Sequence, residues 1–176
     1  MKNHLIQEVE VMKRTRFVFS FLVVMTLVSV SSVFAHCEIP CGIYGDNMRF
    51  EMWMEQITTV EKSMEQIIAL SKEGEKNYNQ IVRWVTNKDK HADDISEIAV
   101  QYFLTQRIKP LVDNAGKEEK EKYASQLTVL HLIVVNAMKS KQTTDLAHVE
   151  KLRNLVKDFY QLYFNVEMEK HMEHHK

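Results

Sequence analysis

The chain has 176 residues, 45% of them apolar and 27% charged, which suits one globular domain better than two. Its formal net charge of −1 leaves no electrostatic footprint for nucleic acid. Only four glycines and two prolines occur, too few for the tight turns of a β-rich fold, so long helices are expected.

The first element is an export signal. Phe17 to Val30 reads FVFSFLVVMTLVSV without a charge, Lys13, Arg14 and Arg16 precede it, and Ser31, Ser32, Val33, Phe34 and Ala35 follow. A basic flank, an apolar run and small residues at Val33 and Ala35 predict cleavage by signal peptidase after Ala35, so residues 1–35 are a signal peptide and the product is exported, periplasmic or secreted. The run falls short of the ~20 residues a membrane span needs, so no stable anchor is expected after cleavage. Glu8 and Glu10 are unusual in a basic flank, and a start at Met12 would give the same mature product.

Cleavage makes His36 the new N-terminus of residues 36–47, which begin His36-Cys37-Glu38-Ile39-Pro40-Cys41-Gly42. Cys37 and Cys41 are the only cysteines in the chain. A disulfide between them is one reading, but so short a loop staples little, because the stabilisation grows with loop length. The order of residues suggests another. A free His36 supplies an α-amine whose proton a metal can displace, the Cys37 amide nitrogen next to it is one that a strongly bound metal can deprotonate, and two thiolates complete an N, N, S, S set. Planar nitrogen and sulfur donors suit Ni(II) or Cu(II) better than the tetrahedral Zn(II). The His36 imidazole can reach an axial position. Pro40 fixes one φ and Gly42 permits a sharp turn, so the segment can wrap a single ion.

From residue 48 onward the pattern is helical. Phe50, Trp53, Ile57, Val60, Met64 and Ile67 recur every three or four residues and predict a first amphipathic helix ended by Gly74. A second helical region is expected from Glu75 to Ile108, with Ile81, Val82, Val85, Ile95, Ile98 and Tyr102 inward. Its polar middle, Asn87 to Asp94, predicts a kink, a break or an exposed stretch. Pro110, Asp113, Asn114 and Gly116 predict a turn. A third helix turns Tyr123, Leu127, Leu130 and Val134 inward; Thr144 is the expected N-cap of a fourth, which carries Val149, Leu152, Val156, Phe159, Tyr163 and Val166. Four such helices on short connectors predict an all-α, antiparallel four-helix bundle over residues 48–176, with the hook at its N-terminus. Met52, Met54, Leu104 and Val129 fall outside the stripes and are expected on the surface, where they would suit a subunit interface. His131 reads as a core or interface histidine. His171, His174 and His175 share a helical spacing and could bind a metal, but read more simply as a solvated end.

The residues His36-Cys37-Glu38-Ile39-Pro40-Cys41-Gly42-Ile43-Tyr44 resemble the H-C-x-x-P-C-G-x-Y hook of nickel superoxide dismutases, a family of four-helix bundles of this length. The resemblance implies an enzyme that disproportionates superoxide to O2 and H2O2 with one nickel ion per subunit, cycling between Ni(III) and Ni(II). It implies His36, Cys37 and Cys41 as ligands, the His36 imidazole joining in the Ni(III) state, Tyr44 as the residue that closes off the site, and a homohexamer. Arg49-Phe50-Glu51 is similar to the family's R-x-E step, which makes Glu51 the hydrogen-bond partner of the axial histidine, although the step lies one residue nearer the tyrosine than in a known member. His91 stands where that member has a second-helix arginine of the same network. Two other readings follow from the cysteines alone: an exported, non-catalytic helical protein that binds metal or is clipped by a disulfide, and a thiol oxidoreductase, for which the C-x-x-C spacing is missing.

Overall fold

The computed structural model describes Arg14, Arg16 and residues 45–168. The chain divides into two units, Met1–His36 and Cys37–Lys176, and the fold described here is that of the second. Among the described residues it is all-helical: α1 is Asp46–Ser71, α2 Tyr78–Glu97, α3 Lys117–Gln142 and α4 Ala147–Phe164. A 3₁₀ turn, Glu75–Asn77, leads into α2, and a π-helical segment, Ile98–Arg107, extends it. Each helix packs on the next and α4 returns to α1, so the short connectors make an antiparallel bundle of four. No described helix is long and apolar enough to cross a membrane.

The first seam is buried as expected. Phe50, Trp53, Ile57, Val60 and Met64 have no exposure, and Ile67 is half-buried. Trp53 buries its ring and still satisfies its Nε1–H, which donates to the Ile95 carbonyl at 2.9 Å. Phe50 is the hub of an aromatic core, with ring centroids 4.8 Å from Tyr160, 5.0 Å from Phe103 and 5.7 Å from both Phe159 and Phe164. α1 stops before Gly74, whose φ of +80° suits a residue without a Cβ. α4 ends on Asn165 in the left-handed region, and the Asn165 amide donates to the Gln161 carbonyl at 2.8 Å.

Several expectations need correction. α2 has no break at Asn87–Asp94: Lys88 and Ala92 are buried there, and the Lys88 ammonium donates to the carbonyls of Ser140 (2.9 Å), Lys141 and Thr143 (3.2 Å) at the end of α3. A cation at a helix C-terminus answers both the orphan carbonyls and the negative end of the dipole. Val82 and Val85 are exposed, because the inward face of early α2 carries Ile81 and Trp84 instead. α3 is turned by about one residue: Gln126, Leu130, Ile133, Ala137 and Ser140 are buried, while Tyr123, Leu127 and Val134 flank the core. Met52, Met54, Leu104 and Val129 also pack against the core, so they are not the free surface residues expected. The N-cap of α4 is Leu146 and not Thr144, and Asp145 just before it accepts from the Ala147 amide at 3.0 Å. Val166 lies beyond α4 and is exposed.

Candidate metal centre

His36, Cys37, Cys41 and Tyr44 lie outside the described residues. What the structure describes is the platform from which they extend. Gly45 is the N-cap of α1 and Asp46 its first residue, with a negative charge at the positive end of the helix dipole.

Asp46 is the centre of a polar node built from three elements. Its Oδ1 accepts from the Tyr102 hydroxyl and from Arg107 Nε at 2.8 Å, and its Oδ2 accepts from the Tyr163 hydroxyl at 2.8 Å. Arg107 also donates to the Tyr102 hydroxyl at 2.8 Å. The guanidinium groups of Arg49 and Arg107 each lie over the Tyr102 ring, 4.8 and 4.7 Å from its centroid. Next to the node, the Tyr160 hydroxyl donates to Asn47 Oδ1 at 3.0 Å. The first turn of α1 is thus tied to the π-helical segment and to the last turns of α4.

The π-helical geometry is what closes this node. Residues five apart replace residues four apart as hydrogen-bond neighbours, as in the Ile108 amide to the Phe103 carbonyl at 2.9 Å. Tyr102 and Arg107 are five apart and meet. The wider turn also lets the adjacent Tyr102 and Phe103 both face inward.

Burial alone would raise the Asp46 carboxyl, but the hydrogen bonds from Tyr102, Tyr163 and Arg107, with the Arg107 charge, outweigh it and hold the group below its ordinary value. Burial and the bond to Asp46 push both Tyr102 and Tyr163 upward, so each remains a neutral donor at physiological pH. Arg107 is raised: its bonds to Tyr102 and Asp46 overcome the cost of burial.

Beside the node, between α1 and the second helical region, lies a pocket of about 310 Å³. Arg49, Met52 and Gln56 form one wall, and Asp94, Glu97 and Tyr102 belong to the other. His91, which stands where the resemblance expects an arginine, bonds through Nδ1 to Gln56 Oε1 at the rim of this pocket. Its Nδ1 also lies 3.8 Å from Asp94 Oδ2.

Glu51 is exposed on α1, and its charge helps to raise Tyr160 after burial has done so. It is not among the pocket-lining residues. His131 is exposed on α3 and is not a core histidine. His171, His174 and His175 lie outside the described residues. Among the described residues, no group of three or more His, Cys, Asp or Glu side chains is placed to hold a metal ion.

The sequence reading missed Asp46, Tyr102 and Arg107 as a unit. Its only local signal was an aspartate following the hook and two adjacent aromatics, Tyr102 and Phe103, at the end of a helical stripe.

Compared with known families, residues 31–167 match the model for nickel-containing superoxide dismutase. No curated protein and no solved structure matches the chain.

Proposed function

We propose a metal site and a maturation route from one premise: the chain belongs to the nickel-containing superoxide dismutase family. It is an oxidoreductase that catalyses 2 O2•− + 2 H+ → O2 + H2O2, and its cofactor is nickel. The observation that carries this is the family match, which runs from before the hook through the end of α4. No observation favours the alternative of a non-catalytic clip.

The donor set of the hook fits the metal. The His36 α-amine, the Cys37 amide and the thiolates of Cys37 and Cys41 would hold it, and the His36 imidazole would be a further donor. When bound, nickel supplies one-electron chemistry between Ni(III) and Ni(II). Anionic sulfur and nitrogen donors favour the higher oxidation state, which brings the couple into the range superoxide requires. Glu51 would accept a hydrogen bond from the imidazole and fix its orientation. Tyr44 would restrict entry to a small anion and order water for proton delivery. The Asp46 node supports this reading because it fixes the first turn of α1, two residues from Tyr44, against two other elements.

Signal peptidase would create the site by freeing the His36 amine, in an exported compartment, periplasmic or secreted. The basic flank, apolar run and Val33-Phe34-Ala35 step support that route. Assembly as a homohexamer is implied by the family. It is supported by Tyr78, Val82 and Val85, spaced four and three along α2 and exposed, a face that neighbouring subunits would cover.

The test is substitution of each thiolate. Cys37→Ser or Cys41→Ser is expected to abolish dismutation while the helical circular dichroism is retained, because neither residue belongs to a bundle stripe. Substantial activity in either variant with nickel bound would sink the assigned coordination.

A further inference from the structure

Superoxide dismutation makes hydrogen peroxide, and methionine sulfur is one of the side-chain groups that peroxide oxidises. Met52 combines two features that bear on this. It packs half-buried against the core, yet it lines the pocket of about 310 Å³ between α1 and the second helical region. Its Sδ also accepts from Arg49 Nη1 at 3.5 Å, from one turn back on α1. The same guanidinium lies over the Tyr102 ring, 4.8 Å from its centroid, so the donor is held in place beside the sulfur. A thioether is only a weak acceptor, a poor match for a charged donor.

The pocket suits peroxide, which carries two O–H donors and lone pairs on both oxygens. Gln56, Gln101 and Gln106 line the same space as Arg49 and Met52, and Gln106 Oε1 is buried without a hydrogen-bond partner among the described residues. That oxygen can accept from peroxide while Arg49 donates to it. An N–H held beside the sulfur assists the attack, because the departing oxygen takes on negative charge. It suits the product as well: a sulfoxide oxygen is a much stronger acceptor than sulfur, and its bond to Arg49 is charge-assisted. Peroxide is neutral and diffuses freely, so the pocket need not touch the metal.

We propose that Met52 is a modification site: the peroxide that the enzyme makes oxidises its thioether to the sulfoxide, and Arg49 assists the step and holds the new oxygen. The inference rests on the dismutase activity, which supplies the oxidant. A sulfur lone pair attacks one peroxide oxygen, so an S–O bond forms and the O–O bond breaks. The departing hydroxide takes the proton of the transferred oxygen and leaves as water. Sulfur loses two electrons and peroxide gains them: R–S–CH3 + H2O2 → R–S(O)–CH3 + H2O. Sulfoxide reductases return the sulfoxide to methionine, so the site can be renewed.

The test treats the nickel-loaded protein with added H2O2, stops the reaction with catalase at intervals, and reads the sulfoxide at each methionine by peptide mass spectrometry, with fragment ions separating Met52 from Met54. Met138, 47% exposed on α3, is the freely reactive reference, and Met64, with no exposure, the protected one. Met52 is expected to oxidise at least as fast as Met138 although it is half-buried. Arg49→Leu should slow Met52 about tenfold, the rate equivalent of one charge-assisted hydrogen bond, and leave Met138 unchanged. Arg49→Lys keeps a charged donor and should retain most of the rate. Met52 reacting more slowly than Met138 in the native protein, or equally fast with and without Arg49, overturns the proposal. A second arm supplies superoxide in place of peroxide, with and without catalase. Met52 sulfoxide that forms there and is suppressed by catalase supports the proposal, and superoxide decay without it overturns the proposal. Failure of the dismutase reading shows itself differently, as no superoxide decay at all, while the added-peroxide arm still decides the chemistry of Met52 and Arg49.

Discussion

Replacing Lys88 with Met separates stability from activity. The Lys88 side chain is 4% exposed, and its ammonium reaches three carbonyls at the end of α3. Methionine matches the stem in volume and removes the donor, so the change creates little cavity. What is lost is a set of charge-assisted bonds, and what remains is the Ser140 carbonyl in a buried residue without that donor. One such bond contributes about 1.5–3 kcal/mol, and an orphaned buried carbonyl costs about 1–3 kcal/mol. The desolvation cost of burying the ammonium in the native protein offsets part of this. The net expected loss is about 2–4 kcal/mol, read from urea unfolding at fixed protein concentration. Lys90→Met is the control: that ammonium is 67% exposed and pairs with Asp94 on the surface, so its loss should leave the unfolding midpoint nearly unchanged. Lys88 and the end of α3 take no part in the Asp46 node at the start of α1, so nickel content and dismutation per folded subunit should be unchanged in Lys88→Met. A Lys88→Met protein as stable as the Lys90→Met control would refute the reasoning, since water or neighbouring groups would then be satisfying those carbonyls.

Two other perturbations address the hook end. Asp46→Asn should destabilise the fold at pH 7 by about 1–2 kcal/mol, a magnitude discounted for partial exposure. Because the folded Asp46 carboxyl lies below its ordinary value of 3.8, its contribution is present above that value and is lost as pH falls through the folded value, so the two unfolding curves should converge in acid. Tyr102 and Tyr163 have the opposite sign: raised above 10.0, they add stability below pH 10 that is lost as pH rises through their folded values. Parallel curves across the acid range would remove Asp46 from the account. His36→Gln should keep nickel bound through the terminal amine, the Cys37 amide and the two thiolates and lower turnover steeply, while Glu51→Gln should cost less. Equal losses in steady-state superoxide decay would make Glu51 a ligand or a proton donor.

The helical seams were legible where one face does one job. Phe50, Trp53, Ile57, Val60 and Met64 are apolar on one stripe and polar elsewhere, so periodicity finds them. It failed where polar residues take core positions. Lys88 reads as solvent-facing until the end of α3 is beside it, and Gln126 and Ser140 on α3 shift the apparent face by one residue. The π-helical segment was invisible because hydropathy carries no marker for a turn widened to five residues. The Asp46 node joins residues 56 and 117 positions away in sequence, a tertiary pairing that no local window contains. The hook is the reverse case. Its proposed donors lie within six consecutive residues, His36 to Cys41, so its chemistry can be read without a fold.

The most direct test of the metal site is a mature chain carrying one extra alanine ahead of His36, all side chains unchanged. A disulfide or a side-chain clip is indifferent to that residue, whereas the proposed site requires the His36 α-amine, which becomes a weak donor inside a peptide bond. Native and extended forms are loaded with nickel and compared for metal content and superoxide decay. The account predicts equal helical content, weak or altered nickel binding and largely lost dismutation in the extended form. Equal activity in the two forms would contradict it, because the amine would then not be a ligand.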